Sequence, residues 1–324
     1  MPDSSTTDPR ARIALSVSST ARARLETLAA WASALPPSPP PVTLEDFDAA
    51  AERGAAAGEW LSREPLARLA PVVTERRFGA IAGLEVRPRD HRDDGSALVY
   101  IHGGGFVGGS ARANLLTAAL AAATTGRRVF SLDYTLAPRG TWRTILEELV
   151  SAWSAITREV PAHALGLLGD SAGGCLALAL SLLLRDRGLP APVALIALSP
   201  VTDLGWRGDT CVTLAAVDYL DMSSLHGAIR AYAPDADLND PLVSPVYGDF
   251  ALGFPPVLLQ VGTRELLLSD SVRLHRALRA AGQASRLEVY EGMPHVFQPL
   301  LADTPEGEAA WAEMAAFWAE HLTS

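Results

Sequence analysis

Two short stretches hold residue types that could do chemistry together. IHGGGFVGGS, residues 101–110, sets a histidine before three consecutive glycines, directly after the apolar run SALVYI. GDSAG, residues 169–173, sets a serine between two glycines, after the apolar ALGLL and before a helical pattern beginning near Gly174. The second stretch matches G-x-S-x-G in the strand–turn–helix context of a nucleophile elbow. On such a turn Ser171 needs small neighbours at Gly169 and Gly173, so that strand and helix can approach. The helix that follows directs its N-terminal N–H groups at the reacting centre.

A serine hydroxyl is a poor nucleophile until a neighbouring base removes its proton. Of the histidines beyond Ser171, His226 lies in a long insertion, His275 in a helical stretch and His321 near the end of the sequence. His295, in EGMPHVF, follows the last strand-like run in a loop, and it is the candidate base.

The glycine loop admits two readings. Gly103, Gly105 and Gly108 satisfy G-x-G-x-x-G, and Asp133 ends the next apolar run at the spacing of a dinucleotide fold. That reading needs the glycines to open a helix at once in the first βαβ unit, whereas here a hairpin pattern precedes them and Pro138 closes DYTLAP just beyond Asp133. An oxyanion hole needs two or three backbone N–H groups converging on one point, an approach that Cβ atoms would obstruct. Gly103 and Gly104 are expected to supply donors alongside Ala172, with Gly105 supporting the turn. The pairing with GDSAG favours the oxyanion loop. His102 is expected to brace this loop rather than act as a base. Asp133 and Tyr134 fit loop support and Asp203 a neighbour of the site, though ordinary turn and core duties explain all three equally well.

The elements that must hold these residues are legible as eight β-like runs: VVTERRF, GLEVRP, SALVYI, RRVFSL, ALGLLG, PVALIALS, PPVLLQVG and SRLEVYEG. The first two are separated by a few residues around Gly79 and Gly83, which predicts an antiparallel hairpin. Most later pairs enclose a helical stretch, such as CLALALSLLLRDRG with Gly188 as its stop and Pro190 behind it. Strands alternating with helices imply parallel pairing. The expected fold class is therefore α/β, an α/β-hydrolase fold: an eight-stranded, mostly parallel sheet with an antiparallel first hairpin and flanking helices. Residues 1–70 are Ala-rich and helical in pattern, interrupted by PPSPPP at 36–41, expected to be a turn or polyproline stretch. The expected division is an N-terminal helical segment at 1–70, a core at 71–202 and 251–324, and an insertion at 203–250 folded over the sheet's carboxyl edge, the two segments that the resemblance given below makes the cap.

Composition narrows the classes. A formal charge of −10 over 324 residues argues against a nucleic-acid or anionic-membrane partner. No H-E-x-x-H or C-x-x-C spacing occurs, so no metal is expected. Two cysteines, Cys175 and Cys211, make no disulfide framework and fit reduced core residues. The N-terminus lacks an apolar signal core, and the longest apolar run, CLALALSLLL, has ten residues. A soluble cytoplasmic protein is expected, and a homodimer stays open.

At HGGGFVGGS, DYTLAP, GDSAGG, SPVTDL, DPLVSP, PPVLLQVG and HVF the chain resembles the hormone-sensitive-lipase-like family of bacterial esterases, over roughly residues 70–300. The resemblance implies a helical cap, no metal or organic cofactor, and a Ser–His–acid triad acting on a small-molecule ester. Many members carry Asp-Pro-Leu after the strand that supplies the acid. This chain reads VGTRELLLSDS, so Glu265 takes that place by position and Asp270 is the nearby competitor. Phe106, Trp206, Leu214 and Val217, with Trp60 and Tyr219, supply apolar surface for a short acyl pocket. The expected activity is a serine carboxylesterase using Ser171, His295 and Glu265. Amide deacetylation, lactone opening or acyl transfer could use the same machinery, and a non-catalytic receptor could share the fold.

Overall fold

A computed structural model describes residues 10, 12–34, 39–91 and 93–322. The PPSPPP turn falls partly outside them. In chain order the elements are α1 (Ser19–Ala34), α2 (Leu44–Leu69), β1 (Val72–Phe78), β2 (Ile81–Arg87), β3 (Ala97–Ile101), α3 (Leu115–Thr125), β4 (Arg128–Asp133) and α4 (Trp142–Ile156). They continue with β5 (Leu165–Asp170), α5 (Ala172–Asp186), β6 (Ala194–Leu198), α6 (Thr210–Thr213), α7 (Met222–Tyr232), β7 (Val257–Gly262), α8 (Leu268–Ala280), β8 (Ser285–Tyr290), α9 (Phe297–Leu300) and α10 (Pro305–His321).

Each of the eight β-like runs forms a strand, and they make one sheet in the order β1-β2-β4-β3-β5-β6-β7-β8. The β1–β2 hairpin is antiparallel and β2 pairs antiparallel with β4. All other neighbours are parallel. Strands β3, β5, β6 and β7 are buried along their whole length and largely apolar because both faces are covered, as a parallel sheet requires. In β3, Val99 and Ile101 join the core cluster that contains α4 and α5, while Leu98 and Tyr100 join the cluster that contains α3 and α10. β8 lies at the edge and reads half-exposed, with Arg286 and Glu288 among its residues.

Helix α5 runs through the middle of the molecule, with every residue from Ala172 to Leu184 buried. It stops where the sequence indicates: Gly188 takes a left-handed φ of 63° and Pro190 follows. Helix α4 is amphipathic, presenting Ile145, Leu149, Ala152, Trp153 and Ile156 to the core at helical spacing. The loops after β3, β5, β6, β7 and β8 all leave the same carboxyl edge of the sheet, the edge where α/β folds place their ligands.

Candidate active site

Ser171 occupies the turn between β5 and α5 with φ 53° and ψ −121°, a conformation that L-residues rarely adopt. Its N–H donates to the Leu198 carbonyl at 2.8 Å, and its own carbonyl accepts from Val201 and Cys175. Close packing makes the turn possible. A Cβ on Gly173 would collide with the backbone carbonyls of Ile101 and His102, so α5 could not start so near β3. The serine is thereby held outward at the head of the helix.

His295 lies in the loop after β8, with its side chain mostly buried. Its Nδ1–H donates to Glu265 Oε2 at 2.9 Å, which leaves Nε2 as the acceptor for the Ser171 hydroxyl, also at 2.9 Å. Glu265, fully buried after β7, has its other oxygen saturated: Oε1 accepts the Gly262 N–H at 2.6 Å and the Ser199 hydroxyl at 2.9 Å. Ser199 sits at φ 45° and also accepts the Val296 N–H at 3.1 Å. One hydroxyl thus spaces the acid loop from the histidine loop. Burial works against the imidazolium, but the Glu265 hydrogen bond and charge, aided by Asp218 and Asp170, outweigh it, and the His295 pKa is raised.

Asp270 takes a different direction. It lies in the first turn of α8, and its Oδ2 accepts the N–H groups of Thr202 at 2.6 Å and Asp203 at 2.9 Å. Asp203 itself is buried among Arg273, Arg207 and Tyr247, with bonds of 2.7, 3.3 and 2.9 Å.

The glycine loop differs from the sequence expectation in one respect. The Gly103 N–H donates to Asp170 Oδ1 at 3.1 Å and is buried, so it is not available to an oxyanion. The cause is the buried Asp170 carboxylate, which also takes the Tyr100 hydroxyl at 2.5 Å and must find donors away from water. Gly104 and Gly105 instead line the cavity in front of Ser171, and among the described residues their N–H groups have no hydrogen-bond partner; the Ala172 N–H is likewise uncommitted. Gly104 has φ 119°, and a Cβ there would strike the Gly108 carbonyl, so the residue type is forced. His102 is buried, stacks on Tyr134 at 4.4 Å and hydrogen-bonds the Gly103 carbonyl at 2.7 Å. Burial lowers its pKa. Tyr134 donates to the His102 carbonyl, and Asp133 accepts the Ala111 N–H. These residues hold the loop.

A cavity of about 550 Å³ opens at Ser171 and His295. Phe106 and Trp206 line it as expected, Phe106 stacked on Tyr232 at 3.8 Å. Leu214 and Val217 do not. They sit in the turns after α6, where the inward residue is Asp218, and the apolar wall is built by Val107, Val201, Leu220, Leu225 and Ile229. Trp60 is 58% exposed and stacks on Trp31 instead. Sequence reasoning passed over Ser199, Asp170 and Asp218, whose roles rest on contacts between distant loops; the S-P at 199–200 directly after β6 was the one available signal.

Among the described residues no helix is long and apolar enough to cross a membrane, and no group of three or more His, Cys, Asp or Glu side chains could hold a metal ion. Cys175 and Cys211 are free and buried.

Comparison with known proteins points the same way as the geometry. A family model for the alpha/beta hydrolase fold matches residues 98–299. An acetyl-hydrolase of Streptomyces hygroscopicus is 34% identical over 234 residues, 72% of this chain and 77% of the relative. An esterase of Acinetobacter venetianus is 30% identical over 258 residues, covering 79% and 83%. Among solved structures, an esterase from the bacterial hormone-sensitive lipase family superposes with TM-score 0.83 at 29% identity, covering 94% of this chain and 98% of that one. A hormone-sensitive lipase from a metagenome library gives TM-score 0.84 at 27% identity, covering 95% and 99%. With its sheet, its elbow and its relatives in agreement, this chain belongs to the α/β-hydrolase fold family, among the esterases that resemble hormone-sensitive lipase.

Proposed function

We propose that this protein is a serine carboxylesterase that hydrolyses short-chain acyl esters of small molecules through Ser171, His295 and Glu265. The observation that carries the reading is the unbroken hydrogen-bonded line from the Ser171 hydroxyl through His295 to Glu265, ending in a cavity that also presents free backbone N–H groups.

Chemistry follows from the donors and acceptors. As Ser171 Oγ attacks the ester carbonyl, its proton passes to His295 Nε2. The imidazolium that forms is stabilised by Glu265, which also holds the ring in the tautomer with Nδ1 protonated. The carbonyl oxygen gains negative charge and is met by the N–H groups of Gly104, Gly105 and Ala172, which need no rearrangement. His295 returns the proton to the departing alcohol. Water then attacks the acyl-enzyme by the same route, and the carboxylic acid leaves. Side chains, backbone N–H groups and water suffice for every step.

Residues 203–250 and 1–70 are inferred to act as the cap. The first supplies Trp206, Tyr219, Leu220, Leu225 and Ile229 to the cavity wall, and α2 of the second lies over the outer side of the glycine loop. A largely apolar cavity of this size suits acetyl to roughly hexanoyl groups. On p-nitrophenyl esters, kcat/KM should peak within that range; a maximum at long acyl chains, with activation at an oil interface, would overturn the cap reading.

The deciding experiment is turnover of p-nitrophenyl acetate by wild type and Ser171→Ala. The variant should be folded and inactive, because one oxygen is removed from a turn whose backbone bonds remain. Near-wild-type turnover in a folded Ser171→Ala would end the serine-esterase reading.

A further inference from the structure

The insertion that walls the cavity also grips the loop that carries Glu265. Leu266, the next residue, has its backbone held on both sides from the insertion. Its N–H donates to Asp218 Oδ2 at 2.5 Å, and its carbonyl accepts the Thr210 hydroxyl at 2.6 Å and the Cys211 thiol at 3.7 Å. Thr210 is also tied to Ser269: its Oγ1 accepts the Ser269 N–H at 2.9 Å, and its N–H donates to Ser269 Oγ at 3.0 Å. The two segments touch so closely that a Cβ on Gly208 would come within 2.6 Å of Ser269 Cβ.

Asp218 is the charged member of this grip. It is 3% exposed, and its second oxygen accepts the Leu220 N–H at 3.0 Å. Two backbone N–H donors, one on each oxygen, is the arrangement of a carboxylate acceptor. A buried charge without such partners would be costly, so its place here calls for an explanation beyond packing. What it faces supplies one. Asp218 interacts electrostatically with His295 and with Glu265, and His295 is faced by Glu265 from the loop after β7, Asp218 from the insertion and Asp170 from the end of β5. Burial raises the Asp218 pKa, and His295 with the two N–H donors pulls it back toward ionisation.

We propose that Asp218 is a positioning residue for the triad: through the Leu266 N–H it fixes the reach of Glu265 toward His295, and its carboxylate adds negative charge acting on the imidazole. Resting on the serine-esterase reading, this assigns the insertion a role in catalysis separate from shaping the pocket. Displacement of a reacting group by about 1 Å costs on the order of 10²-fold, so a loop gripped at one backbone unit has leverage on rate. Asp218 does not itself line the cavity, so the loss belongs mainly in kcat rather than KM.

The test measures kcat and KM on p-nitrophenyl acetate between pH 5 and 9 for wild type, Ser171→Ala, Asp218→Asn and Thr210→Val, with thermal melts on each. Asp218→Asn should lower kcat roughly 10- to 100-fold with KM little changed. It should also move the acid limb of kcat/KM toward lower pH by roughly half a pH unit, because a negative charge that favoured the imidazolium is gone. Thr210→Val should lower kcat several-fold and leave the acid limb where it is, since the grip weakens while the charge stays. A folded Asp218→Asn with wild-type kcat, or with an unmoved acid limb, overturns the proposal. Should Asp218→Asn fail to fold, Thr210→Val decides: reduced kcat at constant KM supports the grip, and wild-type kcat overturns it. Activity retained by Ser171→Ala would instead sink the esterase reading itself, and the positioning role with it.

Discussion

Glu265 and Asp270 stand five residues apart, both fully buried, the first in the loop before α8 and the second in its first turn. Burial does not separate them; their partners do. Glu265 spends one oxygen on a fixed N–H and a hydroxyl and turns the other to a histidine that can change its protonation. Asp270 spends one oxygen on two backbone N–H groups and has no partner on the other. A carboxylate that faces an imidazole can follow a proton through a cycle, whereas one that faces backbone can only hold the chain. Asp270 therefore latches the beginning of the insertion, at Thr202 and Asp203, to α8.

The largest test of that contrast is Glu265→Gln. The amide cannot accept from His295 Nδ1–H without losing the Gly262 or Ser199 bond, so the ring is left free to take the wrong tautomer. A drop in kcat of about 10⁴-fold is expected, the scale seen when a triad acid is neutralised in place. The pH profile should change as well. In wild type the raised His295 pKa means the base is lost as pH falls through a value above the ordinary imidazole range near ~6.5, so the acid limb should lie there. Glu265→Gln removes the main cause of that rise, and its residual activity should show an acid limb at lower pH. A variant with near-wild-type kcat would mean that another group orients His295.

Ser199→Ala should have an intermediate effect. Its hydroxyl donates to Glu265 and accepts from the Val296 N–H, so the variant loosens the acid loop and the histidine loop together and leaves a partly buried N–H unpaired. The unpaired group costs about 1–3 kcal/mol of stability, and kcat should fall roughly tenfold. Full activity with a lower melting temperature would reduce Ser199 to a structural part of the loop.

Elements with a local cause were legible in sequence. The inner strands announced themselves because parallel strands buried on two faces are largely apolar, the edge strands by their alternation and turn glycines, and the elbow because only glycines permit the approach at 169 and 173. His295 and Glu265 could be located by their place after β8 and β7. The rest depends on contacts that no periodicity records. Gly103 and Gly104 are the same residue type side by side, and only the buried Asp170 facing Gly103 decides which N–H is spent. Leu214 and Val217 have the composition of a pocket wall, yet the turns after α6 bring Asp218 inward and leave the wall to Leu220 and to Leu225 and Ile229 on α7. An insertion with short helices and many turns carries little pattern to read.

The smallest expected effect on rate belongs to Asp270→Asn, and it completes the contrast with Glu265. The amide oxygen can still accept from Thr202 and Asp203, so the latch survives and kcat should change by no more than about twofold, as for a substitution away from the reacting groups. Stability should reveal the residue instead. Burial lifts the Asp270 pKa from the usual 3.8 to about 7, with the two N–H bonds opposing that rise. Between those values the folded chain holds a proton that the unfolded chain does not, so this group's contribution to stability falls as pH climbs from about 4 to about 7 and is flat above. Asn cannot titrate. The stability advantage of wild type over Asp270→Asn should therefore fall steadily between pH 5 and pH 8, by on the order of 1–3 kcal/mol, with the gap in melting temperature narrowing in step. A gap that stays constant with pH would show that Asp270 does not change protonation on folding. Collapse of kcat at an unchanged melting temperature would move it from the latch into the triad.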